Sequence, residues 1–266
     1  MGDSEGHIDF QLYRYTPSVA AAVIFIVLFL LTTAFHLYQL IKCRAWYFSA
    51  FVLGGILYRF TPFKRSSFYL HPPLYAASIY MVLGRLILYL RAESFSIVPL
   101  KWMTGIFVTG DVIAFVMQAA GGGIMASGTI TAMKTGEHIT IGGLCVQLVF
   151  FSFFLITSVV FHKRIRLQPT RQTIDAREVQ GLHVMRSWES VLWGLYLSSI
   201  LILIRSVFRL IEYAQGNDGY LISHEAFMYV FDSTLMFFAM VAINVFHPSV
   251  ILSQGDKGGA ATHSKL

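Results

Sequence analysis

Seven mostly apolar stretches alternate with polar connections along the chain, at about 17–41, 44–61, 73–91, 101–122, 139–161, 189–211 and 225–251. A helix that crosses a bilayer needs about 20 such residues, and each stretch reaches or approaches that length. The second is the shortest and carries Arg59. Most connections are short; only 162–188 is long. The pattern predicts an all-α fold, a polytopic bundle of seven transmembrane helices over 17–251. A short external tail precedes it at 1–16, and a flexible cytosolic tail follows at 252–266.

Composition narrows the class. The chain is 56% apolar or aromatic and 13% charged, with a mean hydropathy of +0.63. A soluble domain carries about 25% charged residues, so an ordinary soluble enzyme is excluded. The net charge of +6 does not make a nucleic-acid module, because apolar runs of spanning length separate the basic residues. The first stretch is too long for a signal peptide and follows an acidic tail containing Asp3, Glu5 and Asp9.

Charge also sets an expected orientation. With the N-terminus outside, twelve Lys and Arg residues fall on inner segments and four on outer ones. The positive-inside rule therefore gives an external N-terminus and a cytosolic C-terminus. The long connection begins HKRIR and is expected to lie on anionic inner-leaflet lipid. Cys43 and Cys145 sit at different depths and cannot pair. No phosphate-binding GxxxxGK[ST] motif and no His spacing suited to zinc occurs, so neither cofactor nor metal is expected. Gly121, Gly122 and Gly123 read as a helix terminus.

Ionisable groups inside spans are costly and normally face the bundle interior. Those here are Arg59, Arg85, Asp111, Arg205, Arg209 and Asp232, with Glu189, Glu212 and Glu225 at span ends. Gln118, Gln147, His36 and His247 are their neutral companions. At about 1.5 Å per residue, Arg205 and Asp232 lie at matching depths below the outer surface and can pair across a hairpin. Arg209 then has Glu212 and Glu225 at its level. This outer cluster reads either as structural neutralisation or as a polar floor that binds a headgroup or relays protons. Asp111 lies near mid-bilayer, on one face with Gln118, and the long Arg85 side chain reaches toward it. Substrate or ion coupling is one role for Asp111; a protonated, hydrogen-bonded structural acid is the other.

Several segments then carry a family pattern. They are RSVFRLIEYAQGNDGYLISHEAFMYVFD from Arg205 to Asp232, His247-Pro248, GDVIAFVMQAAGGG from Gly110, GGLCVQ from Gly142 and PLYAASIYMVLGR from Pro73. Together they resemble the fungal lipid-translocating exporter family of seven-helix proteins. That resemblance implies a plasma-membrane exporter of amphiphiles such as sphingoid long-chain bases and sterol-like toxins. Its partners would be an amphiphilic lipid substrate and the bilayer, with the oligomeric state left open. The family's second span commonly carries a Glu and a Gly-Tyr before its Arg. Here Val52 and Ile56 stand in place of the Glu and Tyr, while Gly55 and Arg59 remain.

Two other classes stay open. A lipid-stress sensor fits seven helices with an external N-terminus, though Tyr89-Leu90-Arg91 at the inner end of span three is no familiar coupling triplet. A membrane terpenoid cyclase or isomerase would use a carboxylic acid as proton donor, with Asp111 and Glu225 as candidates.

Overall fold

The computed structural model describes residues 19–43, 52–53, 71–127, 129–174, 187–216, 220–223 and 225–246. Every regular element among them is helical. In chain order they are α1 (Val19–Cys43), α2 (His71–Tyr89), α3 (Leu100–Met125), α4 (Ile130–Leu167) and α5 (Trp188–Ala214). Two single turns follow, α6 (Tyr220–Ser223) and α7 (Glu225–Met228). A π-helical segment (Tyr229–Thr234) then leads into α8 (Leu235–Val245). Helices α1, α3, α4 and α5 are long and apolar enough to cross a membrane, and Pro73–Tyr89 and Tyr229–Val245 are shorter apolar helices. Most of the expected second span, and both expected tails, lie outside the described residues, as do Arg59 and His247.

Exposure follows what each helix packs against. On α1 a continuous apolar set faces outward, including Val23, Ile24, Val27, Leu31, Phe35 and Ile41. In water such a surface would aggregate; in a bilayer it is the lipid face. Helix α2 is the opposite case. Tyr75, Ile79, Tyr80, Leu83, Leu86 and Ile87 are all buried, because α3 and α5 both pack against it. It forms the middle of the main core with Phe107, Phe151, Phe154, Leu192 and Met240.

Among the described residues, α3 and α4 form the most extensive helix contact, and small residues make a close approach possible. A Cβ at Gly143 would sit 2.8 Å from the Ala114 carbonyl oxygen, and one at Gly121 would meet Thr140 and the Gly136 backbone. This corrects the expected terminus at Gly121–Gly123. The helix continues to Met125, because packing against α4 offsets the helix-breaking tendency of glycine. The expected start of span five at 139 is corrected as well. Helix α4 begins at Ile130, where the Thr129 side chain caps it by accepting from Ala132 N at 3.3 Å.

Span seven is not one continuous α-helix. Its described part passes through the π turn at Tyr229–Thr234, where Thr234 Oγ1 donates to the Tyr229 carbonyl at 2.8 Å. At the other end of the bundle, Thr170 Oγ1 donates to the Leu90 carbonyl at 2.8 Å and Arg164 to that of Phe95 at 3.2 Å. These bonds hold the start of the long connection against the α2–α3 link.

Candidate functional site

The buried face of α5 runs through Leu195, Ser198, Ile202, Arg205, Arg209 and Glu212. That is the spacing of three to four residues expected of one helical stripe. Ser187 starts the helix by accepting from Ser190 N at 3.1 Å. The stripe is apolar or small through its first turns and turns ionic only near its end.

Across from it, the π segment presents Asp232, which is 1% exposed. π turns inside α-helices cost regular hydrogen bonding and recur at functional positions; here the wider turn holds the carboxylate against α5. Asp232 Oδ1 pairs with Arg205 Nε. Its Oδ2 accepts from Arg209 Nη2 at 3.1 Å. Arg209 Nη1 donates to Glu212 Oε2 at 2.8 Å. Two like charges one turn apart repel, so each arginine is matched by a carboxylate. The result is a four-residue network, neutral in sum, with every member buried.

The Arg205–Asp232 pair is therefore formed as the sequence suggested. Arg209 differs in part: it shares Asp232 as well as holding Glu212. Glu225 opens α7, and its side chain lies outside the described residues.

The second polar group lies at the α2–α3–α4 junction. Asp111, 2% exposed, accepts from the Tyr80 hydroxyl at 2.9 Å through Oδ2. Its Oδ1 has no hydrogen-bond partner among the described residues. The expected reach of Arg85 toward it is corrected, since Arg85 sits on an exposed face of α2 and Tyr80 occupies the position facing Asp111. Rings enclose Tyr80, with centroids 4.5 Å from Phe154, 5.3 Å from Phe107 and 6.2 Å from Phe151. Gln118, on the same buried face of α3 as Asp111, donates to Gln147 Oε1 at 3.0 Å.

A third group joins α1 to α8. His36 Nδ1 bonds Asn244 Oδ1, Asn244 Nδ2 donates to the Thr32 carbonyl at 3.3 Å, and Gln39 Nε2 to the Asn244 carbonyl at 3.1 Å. Sequence reasoning missed Tyr80 and Asn244. A tyrosine in an apolar run looks like core. Asn244, alone among apolar neighbours in a span, was a readable signal. Elsewhere, Glu189 forms an exposed ion pair with Arg166 at 3.5 Å. Val52, where the family commonly has Glu, packs into the apolar core. Both cysteines are free thiols.

Chemically, the ionic network offers donors and acceptors side by side. The Asp111 site offers one buried carboxylate oxygen that has no hydrogen-bond partner among the described residues. No group of metal-binding side chains occurs among the described residues.

Comparison with known proteins adds a family. The RTA1 like protein family matches residues 58–255. Several relatives have names that state an activity. "Protoporphyrin uptake protein 1" of Saccharomyces cerevisiae is 33% identical, over 89% of this chain and 91% of its own. "Probable lipid transporter atnI" of Emericella nidulans is 31% identical, over 92% and 70%. "Sphingoid long-chain base transporter RSB1" of Saccharomyces cerevisiae is 27% identical, over 87% and 72%. No solved structure matches the chain.

Proposed function

The chain is an integral membrane protein of the RTA1-like family, and from that premise we propose that it translocates lipid-like amphiphiles across the bilayer. In this reading the Arg205–Arg209–Glu212–Asp232 network is where the cargo's polar headgroup docks. The observation that carries it is the burial of four charges as one neutral network. Burying ion pairs costs several kcal/mol per ion in desolvation, and packed apolar residues would commonly serve stability as well. Such groups inside spans ordinarily mark a substrate or ion path. An amine with neighbouring hydroxyls can exchange one bond inside the network for one to the cargo, so no charge is left bare.

Relatives named as transporters of lipid and of sphingoid long-chain bases support this cargo class, and they accord with a role other than catalysis. We take the protein to act at the plasma membrane, N-terminus outside, and to confer resistance to toxic amphiphiles. The chain has no GxxxxGK[ST] motif; uphill export would draw on an ion or proton gradient, and movement down the cargo's own gradient needs neither. A second reading has its own support: a relative is named for protoporphyrin uptake, and two guanidiniums suit a cargo bearing carboxylates.

A strain lacking the protein, challenged separately with phytosphingosine and with protoporphyrin, tests both readings. Long-chain base and porphyrin are measured in cells and medium. Export predicts that long-chain base accumulates in the cells and falls in the medium. A change confined to porphyrin uptake favours the second reading. Unchanged partition of both compounds contradicts both.

A further inference from the structure

The two buried acids are built differently. Asp232 is held by two guanidiniums, so its charge is already balanced where it stands. Asp111 has a phenol on Oδ2, an unpartnered Oδ1, and no cation facing it among the described residues. A buried carboxylate left unpaired is expensive, far more so than the same group carrying a proton.

The surroundings are also polarised along the helix axis. Toward the Met125 end of α3, the next buried polar groups are Gln118, bonded to Gln147, and then Thr140, bonded to the Gly136 carbonyl. Gln118 lies about 10 Å from Asp111 along the axis. Toward the Leu100 end the neighbours are apolar: Phe107 and Met103 on α3, and Phe154 on α4, all buried. Tyr80 from α2 bonds Asp111 directly; Gln118 follows on the same buried face of α3, and α4 brings the Phe151 and Phe154 rings against Tyr80 and Gln147 against Gln118. Tyr80 is the only titratable one of these among the described residues.

We propose that Asp111 is a proton-binding site, separate from the headgroup network and reached from the Met125 end of α3 along the Gln118–Gln147 pair. A proton from water on that side bonds to Oδ1, while Oδ2 keeps the Tyr80 hydroxyl. Releasing it as hydronium to the opposite side regenerates the carboxylate and requires the Phe107–Phe154 seal to open. No other reactant enters. One proton exchanged per cargo molecule would couple a pH gradient to lipid movement. That use of the site rests on the translocator reading, but the proton binding itself does not.

The test is infrared spectroscopy of the full chain in lipid nanodiscs. The carbonyl stretch of a protonated carboxyl is followed through a pH titration, with a shift in heavy water as its signature. The expected result is one titrating band that disappears in Asp111→Asn and whose midpoint moves in Tyr80→Phe. A band that never titrates, or that survives Asp111→Asn, overturns the proposal. If Asp111→Asn does not fold, the Tyr80→Phe midpoint decides alone, and an unmoved midpoint overturns it.

A second arm uses proteoliposomes at clamped membrane potential, with fluorescent phytosphingosine as probe. One proton per molecule supports at most about tenfold accumulation per pH unit. Wild type should accumulate the probe, and Asp111→Asn should fall to a ratio of one while still passing it downhill. Gradient-driven accumulation by Asp111→Asn contradicts the coupling. If wild type moves no probe in either direction, the translocator reading fails, and the infrared titration still decides the proton site.

Discussion

Asp232 is the residue on which the ionic network turns, because it pairs with both arginines. Asp232→Asn takes from both guanidiniums the carboxylate they share. Removing one partner of a buried ion pair costs about 3–5 kcal/mol, so the purified variant should lose most of its thermal stability in detergent. Adding Arg205→Met should recover much of the loss, since Arg209 keeps Glu212 and the remaining pair is matched. Glu212→Gln should cost less than Asp232→Asn, because Arg209 still holds Asp232. Thermal unfolding of the variants ranks them directly. If Glu212→Gln proves the worse of the two, the wiring described above is wrong.

At the scale of helices, two glycines of one run make a controlled comparison. A Cβ at Gly121 would collide with Thr140 and the Gly136 backbone, whereas one at Gly123 meets nothing within 4 Å. Gly121→Ala should therefore destabilise by about 1–3 kcal/mol through overpacking. Gly123→Ala should be neutral, or stabilise by about 0.5–1 kcal/mol by removing helix-interior glycine. Circular-dichroism melts of the two variants check this, and equal effects would contradict the α3–α4 approach. This pair also marks where sequence reading stops. GGG at 121–123 has the local chemistry of a helix end, and only the facing small residues of α4 explain why the helix runs on. The start of α4 was missed because MKTGEH at 133–138 looks like a loop, although Thr129 supplies a cap that could have been read. By contrast, the ends of α1 and α5 fall within three residues of their expected places, because long apolar runs bounded by polar residues leave little choice.

For the whole molecule, helical class and membrane residence were legible from periodicity and composition alone. The pairing of Arg205 with Asp232 was legible too, since charges buried in spans must find partners at equal depth. The Asp111 environment was only half legible. Nothing in a linear sequence says that Arg85 points away from the core while Tyr80 points in, because that depends on how α2 rotates between α3 and α5. The charge asymmetry of the sequence predicts the orientation, and that expectation has its own test. A cysteine introduced at position 4 should react with an impermeant maleimide added to intact cells, and one at position 258 only after permeabilisation, each in a background with Cys43 and Cys145 replaced. Labelling of both ends from one side would remove the seven-span reading.

The central claim is that the buried ion network serves cargo as well as folding. Its most direct measurement is the rate at which purified protein moves a fluorescent long-chain base between leaflets of a liposome, read by quencher accessibility. Wild type is compared with the Arg205→Met/Asp232→Asn double variant, after both are shown to be folded. The account predicts rapid movement by wild type and at least a tenfold slower rate in the folded double variant. A folded double variant that moves the lipid as fast as wild type would show the network to be structural only.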